Sequence, residues 1–124
     1  PSRDHGSFDY LMGCDIELRN PFVREELKKW AVWYQNKIGF DGWRLDGLKH
    51  IAYDFFPEWL NATHKSFPNK PLVIGEFWNG GIEPLNEYFE KTGHCMQLFD
   101  VPLHFRFFEG STNLHEFDLR TIHN

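Results

Sequence analysis

Three short apolar segments of strand type recur along this chain of 124 residues, and a stretch with helical spacing separates each of them from the next. The predicted strands begin near residues 41, 72 and 96. Because each crossover helix brings the chain back in the same direction, this alternation predicts a parallel sheet with helices packed on it. An open doubly wound sheet and a barrel both fit the pattern, and three strands do not decide between them.

The first predicted helix is delimited by a start signal and a stop signal. In Asn20-Pro21 the asparagine can cap a helix and the proline fits its first position, and Gly39 is typical of a helix end. Apolar residues at helical spacing form one stripe, made of Val23, Leu27, Trp30, Ala31, Tyr34 and Ile38. The charged face is expected to be solvated surface and consists of Arg24, Glu25, Lys28 and Lys29.

The remaining elements are predicted from prolines, glycines and apolar runs. A second helix has Pro57 near its start and ends before Pro68, and a third starts near Pro84 and closes at Gly93. The strand segments are 41–46, 72–74 and 96–100, whereas 1–8 and 102–113 are predicted to be loops, 9–19 an extended or irregular segment, and a fourth helix is predicted from about Leu114.

Each predicted strand ends in an acidic residue, namely Asp46, Glu76 and Asp100. In parallel α/β folds the working groups lie at the carboxyl ends of the strands, so these acids are expected at one edge of the sheet. Asp46 and Glu76 suit two carboxylates that flank a glycosidic bond, because retaining enzymes hold them about 5–5.5 Å apart and neighbouring strands lie about 4.8 Å apart. The apolar surfaces of Phe77 and Trp78 would favour the protonated form of Glu76, as an acid catalyst requires.

Arg44 and Asp46 are expected on one face of the first strand, because side chains alternate along a strand, and Trp43 and Leu45 on the other. An arginine beside an aspartate keeps the carboxylate ionised, as a nucleophile requires. A structural ion pair at a strand end would have the same sequence, so these two residues alone leave both interpretations open.

Two segments resemble the alpha-amylase family of glycoside hydrolases. Gly42-Trp43-Arg44-Leu45-Asp46-Gly47-Leu48-Lys49-His50 resembles the strand that carries the nucleophile of that family. Gly75-Glu76-Phe77-Trp78 resembles its acid/base segment. Residues 9–15 and 98–104 also resemble the family, especially its bacterial liquefying-type branch, so the resemblance covers roughly residues 8–108.

The resemblance implies a partial (β/α)₈ TIM barrel of about three β/α units. Residues 1–19 would be the end of an inserted loop region with calcium-site aspartates, and 20–124 the central part of the catalytic barrel. The family's third active-site acid and its Asp-x-x-x-Asn-His segment are not in the sequence. We therefore expect a piece of a longer enzyme, poorly stable and inactive on its own. Gly47 replaces the alanine that is more usual in the family, which should be tolerated.

The resemblance also assigns roles to individual residues. Asp46 would be the nucleophile and Glu76 the acid/base, while Arg44 would position Asp46. The leaving-group side of the cleft would be lined by Lys49, His50 and Trp78.

Calcium is the cofactor that the resemblance implies. From the residues alone, Asp9 and Asp15 are acids of a kind more often found on a surface, although calcium does bind carboxylate and carbonyl oxygens. In the family the matching aspartates bind a structural calcium together with a backbone carbonyl, here that of His50. Relatives with more metals place further acids where this chain has Glu17 and Arg19, and the fixed positive charge of Arg19 disfavours a second cation.

The implied function is retaining hydrolysis of internal α-1,4-glucosidic bonds in α-glucans (starch, glycogen and maltooligosaccharides) by an enzyme expected to be a monomer. Two alternatives stay open: a related transglycosylase or oligosaccharide-trimming glucosidase with the same two acids, and a barrel that binds glucan without cleaving it. The net charge of -5 argues against nucleic acid and acidic lipid surfaces as partners, and no apolar run is long enough to span a membrane. Cys14 and Cys95 form no metal-binding spacing and leave the compartment open.

Overall fold

The computed structural model describes residues 16–113 and 117–122. Its strands are β1 (Gly42–Leu45), β2 (Leu72–Gly75) and β3 (Gln97–Leu98), and its helices are α1 (Pro21–Ile38), α2 (Phe55–Thr63), α3 (Ile82–Lys91) and α4 (Val101–Thr112). Short 3₁₀ turns occupy Leu48–His50, His64–Ser66 and Leu119–Thr121. Within the described ranges, no helix has the length and hydrophobicity that crossing a bilayer requires. The predicted loop at 1–8, and 9–15 of the segment after it, lie outside those ranges.

The strands of the described residues form one parallel sheet in the order β1-β2-β3. Leu45 of β1 pairs with Gly75 of β2, which in turn pairs with Leu98 of β3. α2 connects β1 to β2 and α3 connects β2 to β3, as the alternation of the sequence predicts. The predicted α/β architecture is confirmed, and the carboxyl ends of the strands meet at one edge.

The two faces of β1 have different surroundings, as its alternating side chains predict. Leu45 is buried, and the ring of Trp43 packs edge-on against Trp59 of α2, with 4.9 Å between the ring centroids. Arg44, which lies between them in sequence, is exposed. The core continues around the sheet and includes Leu48, Leu60, Val73, Phe77, Tyr88 and Met96.

Both ends of α1 lie where the sequence predicts them. The Asn20 side chain accepts a hydrogen bond of 3.0 Å from the backbone N–H of Phe22, and Pro21 occupies the first turn. Gly39 adopts a φ of 75° and its N–H donates to the carbonyl of Gln35 at 2.7 Å. A left-handed glycine of this kind satisfies one of the carbonyl groups that a helix end leaves without an intrahelical donor.

Only part of the predicted apolar stripe of α1 is buried. Ala31 is buried and Leu27 packs against the core, whereas Trp30, Tyr34 and Ile38 are exposed. Helical periodicity predicts which residues share a face, but the width of the covered face depends on the elements that pack against it. Among the described residues, α2 and the 3₁₀ turn that follows it pack against α1.

The prediction that the charged face of α1 is solvated surface is wrong for two of its residues. Arg24 forms ion pairs with Asp54, at 2.6 Å, and with Glu58, while Lys28 pairs with Glu58 and, at 2.6 Å, with Glu25. Burial against α2 leaves the two basic side chains only 16% and 15% exposed. Asp54 and Glu58 lie 30 or more residues further along the chain, so helical periodicity could not identify them as partners.

The segment 102–113, predicted to be a loop, forms most of α4. The predicted helix start near Leu114 lies outside the described residues, and residues 117–122 contain only the 3₁₀ turn. The Asp100 side chain accepts a hydrogen bond of 3.0 Å from the N–H of Leu103, and Pro102 lies in the first turn. This is the same kind of start signal as Asn20-Pro21, and it was present in the sequence. The third strand correspondingly stops at Leu98, earlier than predicted.

Candidate active site

The chain turns sharply where β1 ends. Asp46 follows the last strand residue, and Gly47 adopts a φ of 61°, in the left-handed region that favours glycine. A Cβ atom at this position would meet nothing nearer than a ring carbon of His50 at 3.9 Å, so backbone strain rather than contact favours glycine here. The 3₁₀ turn that follows is anchored by Leu48, which is fully buried.

Glu76 extends the pairing of β2 with β1 by one residue. Its backbone N–H donates to the carbonyl of Leu45 at 2.8 Å, and its own carbonyl accepts from the N–H of Leu48 at 3.1 Å. These two hydrogen bonds fix the backbone of Glu76 beside the segment that contains Asp46. The structure therefore places the two predicted acids on neighbouring strand ends, at the same edge of the sheet.

One guanidinium group joins the two carboxylates. Arg44 donates through Nη1 to Oδ1 of Asp46 and through Nη2 to Oε2 of Glu76. The Asp46 side chain is 69% exposed and that of Glu76 is 24% exposed. Both acids therefore have side-chain surface that solvent can reach.

The residues predicted on the leaving-group side follow directly from these two strand ends. Nζ of Lys49 donates to the backbone carbonyl of Trp78 at 3.4 Å, which links the turn after Asp46 to the loop after Glu76. The Trp78 side chain is half exposed, and His50 closes the 3₁₀ turn that Lys49 belongs to. The structure brings Lys49 and Trp78 together, and His50 follows Lys49 in the chain.

Two aromatic residues at this edge were missed as site residues because their segment was predicted to be a loop. The rings of His104 and Phe105, in the first turns of α4, lie 5.1 Å and 5.6 Å from the ring of Trp78. The third strand-end acid, Asp100, caps α4 and so has a structural explanation. The available sequence signal was Asp100 with Pro102, which would have placed both rings on a helix next to the third strand.

The residues predicted to bind calcium are only partly described. Asp9 and Asp15 lie outside the described ranges, so His50 is the one predicted ligand whose position is known. Within 16–113 and 117–122, no three His, Cys, Asp or Glu residues lie close enough together to hold a metal ion. Arg19 forms an ion pair with Glu17, and its hydrogen bonds lower the pKa of that carboxyl to about 2. Glu17 and Arg19, the two positions considered for a second cation, are thus paired with each other.

Comparisons with known proteins identify close relatives of nearly the whole chain, although no family model matches it. An alpha-amylase of Geobacillus stearothermophilus is 44% identical over 120 residues, which are 96% of this chain and 22% of the relative. A glucan 1,4-alpha-maltohexaosidase of Bacillus sp. (strain 707) is 37% identical over 121 residues, 98% of this chain and 23% of the relative. The solved alpha-amylase of Geobacillus thermoleovorans in complex with acarbose superposes with a TM-score of 0.65 at 24% identity, over 74% of this chain and 20% of that one.

The chain therefore spans about a fifth to a quarter of the length of the relatives it matches. The superposition supports the fold, since it covers 74% of this chain. Together with the strand order β1-β2-β3, it confirms the expected partial (β/α)₈ barrel. The predicted sequence resemblance is confirmed as well, over a longer stretch than residues 8–108.

Proposed function

This chain belongs to the alpha-amylase family of glycoside hydrolases, and from this premise we propose that the full-length protein cleaves internal α-1,4-glucosidic bonds of starch, glycogen and maltooligosaccharides with retention of configuration. The observation that carries the proposal is the bridge that Arg44 makes between Asp46 and Glu76 at the carboxyl edge of the sheet. Two carboxylates on neighbouring strand ends, both bound by one guanidinium, are the arrangement that we propose acts on a single glycosidic bond.

Asp46 is the proposed nucleophile and Glu76 the proposed acid/base. In the first step the Asp46 carboxylate attacks the anomeric carbon while the Glu76 carboxyl gives its proton to the departing glycosidic oxygen. The bond to the leaving sugar breaks and a glycosyl ester of Asp46 forms. In the second step Glu76, now ionised, takes a proton from water, whose oxygen attacks the anomeric carbon and releases Asp46.

Arg44 is the residue proposed to position the nucleophile. It donates hydrogen bonds to both Asp46, whose side chain is 69% exposed, and Glu76, whose side chain is 24% exposed. The proposed first step needs the Glu76 side chain free to reach the glycosidic oxygen, so we propose that Arg44 pairs with Asp46 alone once substrate is bound.

The leaving-group side of the cleft is proposed to consist of Lys49, His50 and Trp78. The exposed indole face of Trp78 can stack on the apolar face of a sugar ring, and the Lys49 ammonium can donate to its hydroxyl groups. Acarbose, with which the Geobacillus thermoleovorans relative was solved, is expected to inhibit the full-length protein by occupying this cleft.

Calcium is the proposed structural cofactor, bound by Asp9, Asp15 and the backbone carbonyl of His50. Two carboxylates and a carbonyl are oxygen ligands of the kind that calcium prefers. His50 closes the turn that begins two residues after Asp46, so an ion on its carbonyl would tie segment 9–15 to the rim of the active site. The ion supplies rigidity, and no step of the hydrolysis proceeds through it.

Release of short oligosaccharides from chain ends is a second candidate, favoured by the relative that is named a maltohexaosidase. An enzyme of that kind would use the same Asp46 and Glu76 and would differ in where the cleft is closed. Digestion of a maltooligosaccharide with a blocked non-reducing end separates the two candidates, because an enzyme that acts on internal bonds cleaves it and one that requires a free end does not.

The mechanism is tested by removing each acid in the full-length protein. We expect Asp46→Asn and Glu76→Gln to lower the rate of starch hydrolysis by at least about a thousandfold, since each removes a group that acts on the reacting atoms. Asp100→Asn is the matched control, because asparagine caps a helix about as well as aspartate and Asp100 has no proposed catalytic role. Release of reducing ends is the measurement.

Two outcomes would contradict the proposal. If Asp46→Asn kept a tenth or more of the wild-type rate, Asp46 would not be the nucleophile. If NMR showed that the newly formed product is the β-anomer, the reaction would invert configuration and no glycosyl ester would form. Glucan binding by the wild-type protein without any release of reducing ends would instead support a non-catalytic barrel.

A further inference from the structure

An exposed aromatic cluster, made of Trp78, His104 and Phe105, lies at the carboxyl edge of the sheet. The ring centroid of Trp78 is 5.1 Å from that of His104 and 5.6 Å from that of Phe105, and the His104 and Phe105 centroids are 5.5 Å apart. Trp78 and Phe105 remain 44% and 38% exposed. The three rings therefore support one another and still present surface to solvent next to Glu76.

The loop that contains Trp78 packs closely against α4. The N–H of Asn79 donates to the carbonyl of Phe77 at 2.9 Å, and the N–H of Gly81 donates to Oδ1 of Asn79 at 2.9 Å. Gly80 faces Phe105 so closely that a Cβ atom there would lie 3.1 Å from its ring. These contacts fix the backbone of the loop and leave the indole orientation of Trp78 to be set by the rings of α4.

We propose that His104 is a positioning residue that orients Trp78 on the leaving-group side of the cleft, and so determines how tightly the glucosyl unit beyond the cleaved bond is held. The inference rests on the proposed function, because it assumes that Glu76 protonates the bond next to this cluster. Trp78 is two residues from Glu76, and the imidazole ring of His104 lies against its indole ring in a tilted contact. A stacking platform for a sugar is effective only if its ring is held in one orientation.

The competing role of His104 is to pack α4 onto the loop, with no influence on substrate. The two roles differ in which substrate responds. A maltooligosaccharide such as maltoheptaose has glucosyl units on both sides of the cleaved bond, whereas maltotriosyl fluoride has only fluoride on the leaving-group side. If Trp78 loses its orientation, kcat/KM should fall for the maltooligosaccharide only. If the structure is disturbed in general, kcat/KM should fall for both substrates.

The test compares His104→Asn with the wild-type full-length protein on these two substrates. We expect the kcat/KM for maltoheptaose to fall about 3- to 10-fold, mainly through a higher KM, and the kcat/KM for maltotriosyl fluoride to stay unchanged. His104→Phe restores a ring against Trp78 and should recover most of the loss. Trp78 fluorescence, isolated by subtracting the spectrum of Trp78→Phe, should change in His104→Asn and much less in His104→Phe.

The matched control is His94→Asn, which makes the same substitution at another exposed histidine. His94 stacks on Phe89 with 4.2 Å between ring centroids, but it precedes β3 and so lies at the amino edge of the sheet. Its φ of 56° is one that asparagine tolerates. This variant should leave kcat/KM for both substrates unchanged.

Two results would overturn the inference. Equal losses on maltoheptaose and maltotriosyl fluoride would show that His104 supports the structure in general, and no loss on either would show that Trp78 does not depend on it. Failure of the wild-type protein to cleave either substrate would be a different result, because it would reject the proposed function itself.

Discussion

Gly75, the last residue of β2, lets two core side chains approach the sheet closely at the site itself. A Cβ atom added here would overlap Cδ1 of Leu48 and lie 2.6 Å from the sulfur of Met96. Leu48 is fully buried and its N–H donates to the carbonyl of Glu76. Crowding at position 75 therefore reaches Glu76, the proposed acid/base, through one buried side chain.

We predict that Gly75→Ala lowers both the stability and the activity of the full-length protein. Overpacking of this kind costs about 1–3 kcal/mol, because the buried neighbours must leave their preferred rotamers. Thermal melting and starch hydrolysis are the measurements. The control is Gly39→Asn at the end of α1, where a Cβ atom meets nothing within 4 Å and asparagine tolerates the left-handed backbone. A melting temperature for Gly75→Ala equal to that of the wild type would show that Leu48 and Met96 can repack freely.

At the scale of elements, α1 is joined to α2 by ion pairs, which involve Glu58 of α2 and Asp54 just before it. Glu58 accepts hydrogen bonds from Lys28 and Arg24, and these bonds, that of Lys28 foremost, lower the pKa of Glu58. The pKa of Lys28 is raised by its hydrogen bonds to Glu25 and then to Glu58. Since Lys28 and Arg24 are mostly covered, their charges need these partners, whereas Glu58 itself remains 43% exposed.

We predict that the stabilising effect of Glu58 depends on pH in the acidic range. A carboxyl group with a lowered pKa in the folded state stabilises that state above its unfolded value of about 4.5, and this effect is lost as the pH falls through the lower, folded value. Glu58→Gln should reduce stability by about 0.5–1 kcal/mol at pH 7, a modest figure because solvent screens the exposed carboxylate. The difference from the wild type should shrink steadily below pH 4.5.

The measurement is the melting temperature of wild type and variant in the full-length protein between pH 7 and the lowest pH at which both fold. Glu26→Gln is the control, because its partner Lys29 is 70% exposed and the pair lies on the solvent side of α1. A pH-independent difference for Glu58→Gln would mean that the side chain stabilises by packing rather than by charge.

At the scale of the whole molecule, the described part consists of a short parallel sheet and four α-helices. β1 and β3 each pair with β2, so among the described residues each of them has one unpaired edge. Open edges and a half-covered α1 agree with the expectation that this stretch alone is poorly stable, which stays a prediction. The proposed calcium ion would act at the same scale, because it would join two segments that are more than thirty residues apart.

We predict that removing calcium with a chelator lowers the melting temperature of the full-length protein, and that adding calcium back restores it. An ion that binds only the folded state stabilises that state in proportion to the logarithm of its concentration over its dissociation constant. The variant Asp15→Asn should melt at a lower temperature with calcium present and respond less to the chelator. A melting temperature that the chelator leaves unchanged in the wild type would remove calcium from the proposal.

Much of the fold was predictable because its signals are local. Asn20 and Gly39 form hydrogen bonds with backbone groups of α1 that lie within about one turn of them. Strand alternation predicted which side of β1 is buried. The start of α4 was predictable by the same logic from Asp100 and Pro102, and it was missed because strand and loop were assigned through it. Strand ends also predicted where Asp46 and Glu76 would lie, since the carboxyl ends of parallel strands meet at one edge.

Local sequence alone determined the elements, their order and the acids at the strand ends, because each depends on neighbours a few residues away. The tertiary structure decided the contacts between elements: the second hydrogen bond of Arg44, to Glu76, the pairing of Lys28 with Glu58, and the ring of His104 against Trp78. Such contacts join side chains about 26 to 32 residues apart, and they depend on strand register and helix rotation, which no short stretch of sequence encodes.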